Sequence, residues 1–374
     1  MFKETALSGQ TTFFQKLRSL DYILLVCILI LGVISSLAMY ATDGGELLYH
    51  TKSHVLRFII FFVMMFVLSF LNIRFWHATG YLFYIIVLGL LIWASLYGIT
   101  ASGSQRWVDL YFINLQPSEL MKIAIIVCFA KFYHRAQINQ INNFKNLLVP
   151  MMILILPILL VVSQPDLGTS ILIALSGIIV LWLAGINLKY FIYSGLFLLI
   201  SMPFVIAFLK PYQKLRILTF FNPDKDPLGA GYQIIQSKIA IGSGGLFGKG
   251  FLNGSQSYLD YLPEKHTDFI FTLFSEEFGF AGSLFILLLY SLIIYRLINI
   301  GNVTRSSFGK LYCYSFATAF FIYVAVNMGM VLGLLPIVGA PLPIMSYGGS
   351  SMMAIMLGLG IAMSCKVYKD TPVN

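Results

Sequence analysis

Apolar residues in this chain are grouped in long, nearly unbroken blocks separated by short polar connections. Ten blocks stand out, at about 20–40, 55–71, 80–99, 117–133, 147–163, 170–186, 189–208, 268–297, 312–335 and 350–367. Several reach about 17–25 residues, the length a helix needs to cross a hydrocarbon core ~30 Å thick. The pattern predicts an all-α polytopic membrane protein with about ten transmembrane helices, in a single integral membrane domain over residues 1–374. The first block, from Asp21 to Tyr40, is too long for a signal-peptide core, and no small-residue cleavage pattern follows it, so it is expected to stay as an anchor. The fifth and sixth blocks are parted only by SQPDLGT, read as a tight turn at Pro165 and Gly168.

One connection differs from the rest. Residues 209–267 form a long polar interruption that opens with the turn chemistry of FNPDKDPLGAGY. The stretch YQIIQSKIAI follows, with Tyr232, Ile235 and Ile239 at near-helical spacing, and then the glycine-rich GSGGLFGKGFLNGSQ. A long structureless loop is uncommon unless it works, so short helices lying on the outer surface are expected here.

Charge sets the direction of the spans. An even number of crossings puts both termini on one side, and that side carries Lys3, Lys16, Arg18, Arg74, Lys131, Arg135, Lys145, Lys189, Arg296, Arg305, Lys310, Lys366 and Lys369, whereas the short loops opposite offer Lys52, Arg57 and Arg106. By the positive-inside rule both termini are expected to be cytoplasmic. Composition agrees with a membrane protein: 59% of residues are hydrophobic and 10% charged, against roughly 25% charged in soluble domains. The net charge of +9 is spread over short loops with no basic helix or aromatic-interleaved patch, which speaks for topology and lipid headgroups and against nucleic acid. Cys27, Cys128, Cys313 and Cys365 lie in or at the end of apolar runs and read as small core hydrophobes.

The glycine-rich piece is not a nucleotide fingerprint. A phosphate-binding loop requires glycine where Ser243 stands and Ser or Thr where Gly250 follows Lys249, and Phe247 replaces the third glycine of a dinucleotide motif. It reads either as a loop that bends close to a substrate or as a structural turn. His50 and His54 in HTKSH, downstream of Asp43 and Glu46, fall short of a metal-ligand pattern and read as an interfacial loop. Glu119 and Lys122 are more informative. They fall in the first turns of the fourth span, after Pro117 and Ser118, on one helix face. They form either a neutralising pair that supports a site or a direct substrate contact. Arg106 in GSQRWVDL either meets an anion or pairs with Asp109. Asp166 is expected to cap the sixth span, and GAPLPIMSYGGSS to form a short outer turn with Ser350 or Ser351 as a cap.

Asp268 stands at the mouth of the eighth block, in PEKHTDFIFTLF. Continued as a helix, Thr272 and Ser275 follow on its side, while Glu276 and Glu277 lie roughly 12 Å deeper. It reads either as a helix cap at the membrane boundary or as a partly desolvated carboxylate able to accept a proton.

The ordered motifs GSQRWVDL, QPSELMK, QPDLGTS, GYQIIQSKIAIGSGGLFGKGF, LPEKHTDFIFTLFSEEFG and PLPIMSYGGSS resemble the SEDS proteins (shape, elongation, division, sporulation) over about residues 20–367. The glycine loop is more similar to the elongation branch of that family than to its division branch. The resemblance implies a peptidoglycan glycosyltransferase of the bacterial inner membrane that polymerises lipid II on the outer face. It places the family's essential aspartate on Asp268, its outer-loop arginine on Arg106 and its charged pair on Glu119 and Lys122. It also implies a class B penicillin-binding transpeptidase and other elongation-machinery proteins as partners, besides membrane lipids. An α-linked pyrophosphate donor and a β-1,4 product then suggest one inverting displacement, with Asp268 as general base, since a retaining pair of carboxylates is not evident. Arg106, Lys122, Lys238, Lys249 and Lys265 are candidates to bind the leaving pyrophosphate, with a divalent cation (Mg or Mn) as a candidate aid, and His266, Thr267, Thr272 and Glu119 to support the site. The competing readings are a lipid II transporter, a scaffold without chemistry and the division-type polymerase.

Overall fold

The computed structural model describes residues 12–101, 104–109, 114–136, 142, 144–208, 211–222, 229–254 and 264–373. A short surface helix α1 (Phe13–Arg18) leads into α2 (Tyr22–Thr42), α3 (Tyr49–Ser69) and α4 (Ile73–Tyr97). Strands β1 (Ile99–Ala101), β2 (Ser104–Asp109) and β3 (Asn114–Leu115) follow, then α5 (Pro117–Tyr133), α6 (Phe144–Ser163), α7 (Leu167–Leu183) and α8 (Leu188–Phe208). Two shorter helices, α9 (Pro211–Phe221) and α10 (Ala230–Ser243), precede α11 (Ile270–Val303), α12 (Ser307–Val331) and α13 (Gly349–Val367).

The expected spans fall on α2 to α8 and α11 to α13. Among the described residues six helices (α2, α3, α4, α11, α12 and α13) are long and apolar enough to cross a membrane, and shorter apolar helices lie within α6, α7 and α8. Their ends are set by local chemistry. Asp21, Asn72, Asp166 and Ser306 each accept a backbone amide of the helix they cap, and Pro117 opens α5 where its missing N–H costs nothing. The cap at Asn72 starts α4 seven residues before its apolar block, and α12 stops at Val331 because Gly333 takes a φ of 68°.

Helix α5 is the centre of the bundle. Every residue from Pro117 to Ala130 is buried, and α4, α6, α7, α12 and α13 pack round it. Around this core, α11 packs on α2 and α12, and α3 packs on α13. By contrast, Leu196, Phe197, Leu198, Leu199 and Ile200 of α8 are all exposed, as expected of a helix facing lipid.

A small antiparallel sheet, absent from the sequence expectation, fills the α4–α5 connection in the order β1-β2-β3. Ile99 pairs with Trp107 and Val108 with Leu115, with a register shift after Ile99. The pairing supplies hydrogen-bond partners to a connection that would otherwise leave backbone groups unmet beside the membrane.

Helix α11 departs from a simple span. Gly279, with φ 64° and ψ −160°, breaks it into Ile270–Phe278 and a longer membrane-crossing part. The glycine-rich loop repairs the break: the amides of Lys249 and Gly250 donate to the carbonyls of Glu276 and Glu277, and those of Phe280 and Ala281 donate to Gly245 and Leu246. A Cβ on Gly248, whose φ is 82°, would lie 2.0 Å from the Glu277 carbonyl oxygen, so this close approach requires glycine. The loop is therefore a structural brace. Helix α10 buries Ile234, Ser237 and Ala240 rather than the expected Tyr232, Ile235 and Ile239; Ile239 is exposed.

Candidate active site

The sequence GAPLPIMSYGGSS, residues 339–351, predicts a short outer turn, but the chain over 337–346 is largely buried. Ile337, Ala340, Leu342, Ile344 and Met345 are buried. Buried backbone requires partners, and side chains from distant helices supply them. Tyr290 Oη donates to the Pro343 carbonyl (2.6 Å), Asn327 Nδ2 to Ala340 (2.7 Å) and Ser35 Oγ to Ile344 (3.1 Å). This strand of chain is the floor on which the candidate residues meet.

Asp268 sits on that floor just before the N-terminal end of α11. It belongs to a turn over 264–269, closed by the amides of Thr267 and Phe269 on the Glu264 carbonyl, and not to the helix itself. The expected polar stripe through Thr272 and Ser275 therefore does not extend from it. Asn327 Nδ2 donates to the Asp268 carbonyl as well (3.0 Å), and Asp268 Oδ2 lies 3.6 Å from where a Cβ on Gly339 would stand. The residue is half-buried. Crowding by protein raises the pKa of its carboxyl group from 3.8 to about 7, helped by Glu264 and Asp166 and opposed by Arg216 and Arg106. A general base works best with a pKa near the operating pH.

Arg106 reaches the site from β2. Its Nη1 lies 2.8 Å from Asp166 Oδ2, so the partner is Asp166 at the start of α7 and not the nearby Asp109, three residues along a strand and hence on the opposite face. Asp166 caps α7 as expected, through Oδ1 and the Thr169 amide, and with Oδ2 also accepts Gln116 Nε2 at 3.3 Å. The Nε of Arg106 is buried without a hydrogen-bond partner among the described residues. Ser350 is not a cap. Its hydroxyl accepts the Gln116 amide and donates to the Asn114 carbonyl, joining α13 to β3.

Arg216, on α9, also acts on Asp268 through its charge and donates weakly to the Ile337 carbonyl (3.4 Å). It was not among the sequence candidates. In PYQKLRILTFF it looks like one of two cations on the solvated face of an amphipathic helix, and only the fold brings α9 over the floor.

Beneath the floor, Lys122 Nζ lies 2.8 Å from Glu119 Oε1 and 4.6 Å above the Tyr323 ring. Both residues are buried, and they line a cavity of about 10 Å³ with Ala340, Pro341 and Ser351, near the size of one water. Their placement fits a supporting pair under the Asp268 loop.

The remaining candidates are scattered. Lys249 Nζ is held 2.6 Å from the buried Glu276, which ties the brace to α11. Lys238 lies along Gly333, and Thr272 pairs with Ser237 at 2.8 Å, clamping α10 to α11. The charges that act on Asp268 include Glu264, Arg216, Arg106 and Asp166. Thr267 Oγ1 donates to Glu264 Oε2, closing the turn, and Tyr347 N donates to the His266 carbonyl at 2.8 Å. His54 is buried against Ser35, whereas His50 stacks on His266 with ring centroids 4.2 Å apart.

A family profile described as cell cycle protein, FtsW/RodA/SpoVE, matches residues 17–371. The chain belongs to this family. Among its relatives, the peptidoglycan glycosyltransferase MrdB of Escherichia coli K12 is 41% identical over 362 residues, covering 96% of this chain and 97% of that protein. Among solved structures, a chain from a peptidoglycan synthase complex that coordinates polymerization and crosslinking is 26% identical with a TM-score of 0.80, covering 94% of this chain and 98% of the other. The rod shape determining protein RodA of Thermus thermophilus has the same fold, with a TM-score of 0.71 at 24% identity over 94% of this chain and 98% of that one. With its apolar helices, this FtsW/RodA/SpoVE member is a multi-pass inner-membrane protein.

Proposed function

We propose that this peptidoglycan glycosyltransferase of cell elongation joins two lipid II molecules at the floor formed by residues 335–347, with Asp268 taking the proton of the acceptor 4-hydroxyl. The hydroxyl oxygen attacks the donor anomeric carbon as the bond to pyrophosphate breaks, which inverts that centre and releases undecaprenyl pyrophosphate. Negative charge grows on the leaving phosphate, and a pre-placed cation stabilises it. Arg106 and Arg216 fill this role. The supporting observation is that the charges of two arginines brought by separate elements, β2 and α9, both act on Asp268 at the N-terminal end of α11. The buried, unsatisfied Nε of Arg106 adds a donor that an anion would satisfy.

Mg or Mn takes oxygen ligands. Among the described residues no group of three such ligands includes Asp268, and the positive charge in this reading comes from Arg106 and Arg216.

In this reading both termini are cytoplasmic, and Asp268 faces the periplasm, where lipid II presents its sugars. The lipid tails lie along exposed helix faces such as that of α8. A class B penicillin-binding transpeptidase is the proposed partner, as suits a relative that is part of a complex coupling polymerization to crosslinking.

The test is glycan polymerisation from defined lipid II by the purified protein in detergent, where transport across a bilayer has no meaning. The wild type is expected to make polymer and Asp268→Asn none, with and without the transpeptidase. Polymer from Asp268→Asn would overturn the assignment.

A further inference from the structure

The loop after α2 and the first turn of α3 bring three ligand-bearing side chains to the turn that precedes Asp268, and this cluster has no part in the chemistry above. Asp43 Oδ1 lies 3.5 Å from His50 Nδ1 and 3.9 Å from His266 Nε2, and all three ligand atoms fall within 4.8 Å of one another. The two imidazole rings are stacked, 16° from parallel, which holds both beside the Asp43 carboxylate in two layers.

The surroundings fix these atoms as ligands. Asp43 Oδ2 accepts both the amide (2.9 Å) and the hydroxyl (2.6 Å) of Thr51, which leaves Oδ1 to face the rings. Thr42 Oγ1 donates its hydrogen to the Met39 carbonyl at 2.7 Å, so towards His266 Nδ1, 3.0 Å away, it acts as an acceptor. With the His266 proton on Nδ1, Nε2 is the nitrogen that presents a lone pair on the side of Asp43 Oδ1, where a cation would bridge the two. A metal-bound histidine whose second nitrogen is held by an oxygen is the usual outer arrangement of such sites.

We propose that Asp43, His50 and His266 form a binding site for a borderline transition-metal ion of the Zn²⁺ class. Two imidazoles and one carboxylate suit Zn²⁺ and disfavour Mg²⁺ or Ca²⁺, which seek oxygen cages. Ligands ~2.0–2.2 Å from a tetrahedral zinc lie roughly 3.3–3.5 Å apart, so binding turns the two rings out of their stack and draws together ligand atoms that now lie within 4.8 Å of one another. The His50 side chain is 42% exposed, so the ion and a fourth ligand from water reach the site from the outer solution. Its effect is mechanical: the ion ties the α2–α3 connection to the turn that carries Asp268.

The experiment uses the full chain without a polyhistidine tag, purified in detergent and stripped with a chelator. Co²⁺ is added as a visible stand-in for Zn²⁺. Saturable binding of one ion per chain is expected, with the absorption of a four-coordinate site, displaced by Zn²⁺, and Zn²⁺ raises the thermal midpoint. His50→Gln weakens Co²⁺ binding at least ~10-fold, while Glu46→Gln on the same loop leaves it intact. Zinc-edge X-ray absorption on the wild type, independent of any variant, shows two imidazoles in the first coordination sphere. Absence of one-to-one binding, binding indifferent to His50→Gln, or a zinc environment without imidazole each overturns the site. None of these readings depends on polymerase activity.

Discussion

The guanidinium of Arg106 and the carboxylate of Asp166 meet at 2.8 Å across the start of α7, so one acid both caps a helix and aims a cation. The two duties separate by substitution. Asp166→Asn keeps an oxygen for the Thr169 amide but removes the charge that holds Arg106. Its thermal stability is expected to stay within about 1 kcal/mol of wild type, since Asn caps as well as Asp. The KM for lipid II rises several-fold in a polymerisation assay, with a smaller change in kcat. Asp166→Ala loses the cap too and is less stable by a further ~0.5–2 kcal/mol in thermal unfolding.

Asn327 joins the Asp268 turn to the floor by donating to two carbonyls, at 3.0 and 2.7 Å. Asn327→Ala leaves both acceptors unmet in a buried place, at ~1–3 kcal/mol for an unsatisfied group. Both the thermal midpoint and the polymerisation rate are expected to fall. Asn327→Asp is worse, because a carboxylate then faces two carbonyl oxygens. A polymerisation rate in Asn327→Ala equal to wild type would show that the Asp268 turn holds its place without this tether.

Gly339 has a φ of 71° beneath the Asp268 carboxylate. Alanine there is strained by ~1–2 kcal/mol, and its methyl group contacts Oδ2. Gly339→Ala is expected to lower kcat more than it lowers expression in the membrane, read by single-turnover polymerisation beside a membrane-yield blot.

Lys249 and the fully buried Glu276 are partners at 2.6 Å in the brace over the Gly279 break. Removing one charge of a buried pair costs ~3–5 kcal/mol, because the other is left behind, whereas replacing both with apolar groups is far milder. Lys249→Met alone is therefore expected to unfold at a lower temperature than Lys249→Met combined with Glu276→Leu. A double variant less stable than either single one would show that the pair is not coupled.

The helices were legible because crossing a membrane demands long apolar runs, and ionisable residues inside them, such as Glu119, Lys122 and Asp268, stand out for the same reason. What escaped notice depends on distant contacts. Arg216 sits among ordinary surface residues of α9 until the fold lays that helix over Ile337. Asp166 has a sufficient local explanation as a cap, which hides its second partner. The break at Gly279 looks like one more glycine in an apolar block, and only the loop at 244–250 makes it stable. Likewise, the prolines and glycines of residues 339–351 signal a turn, but the buried backbone there is met by Tyr290, Asn327 and Ser35.

Because α5 is enclosed by other helices on every side, acyl chains do not touch the Glu119–Lys122 pair. Changes in bilayer thickness or lipid composition press first on the outer ring, on α8 above all, and reach the charged interior only as small shifts of neighbouring protein. A cell can thus remodel its membrane as it grows without re-solvating this buried ion pair.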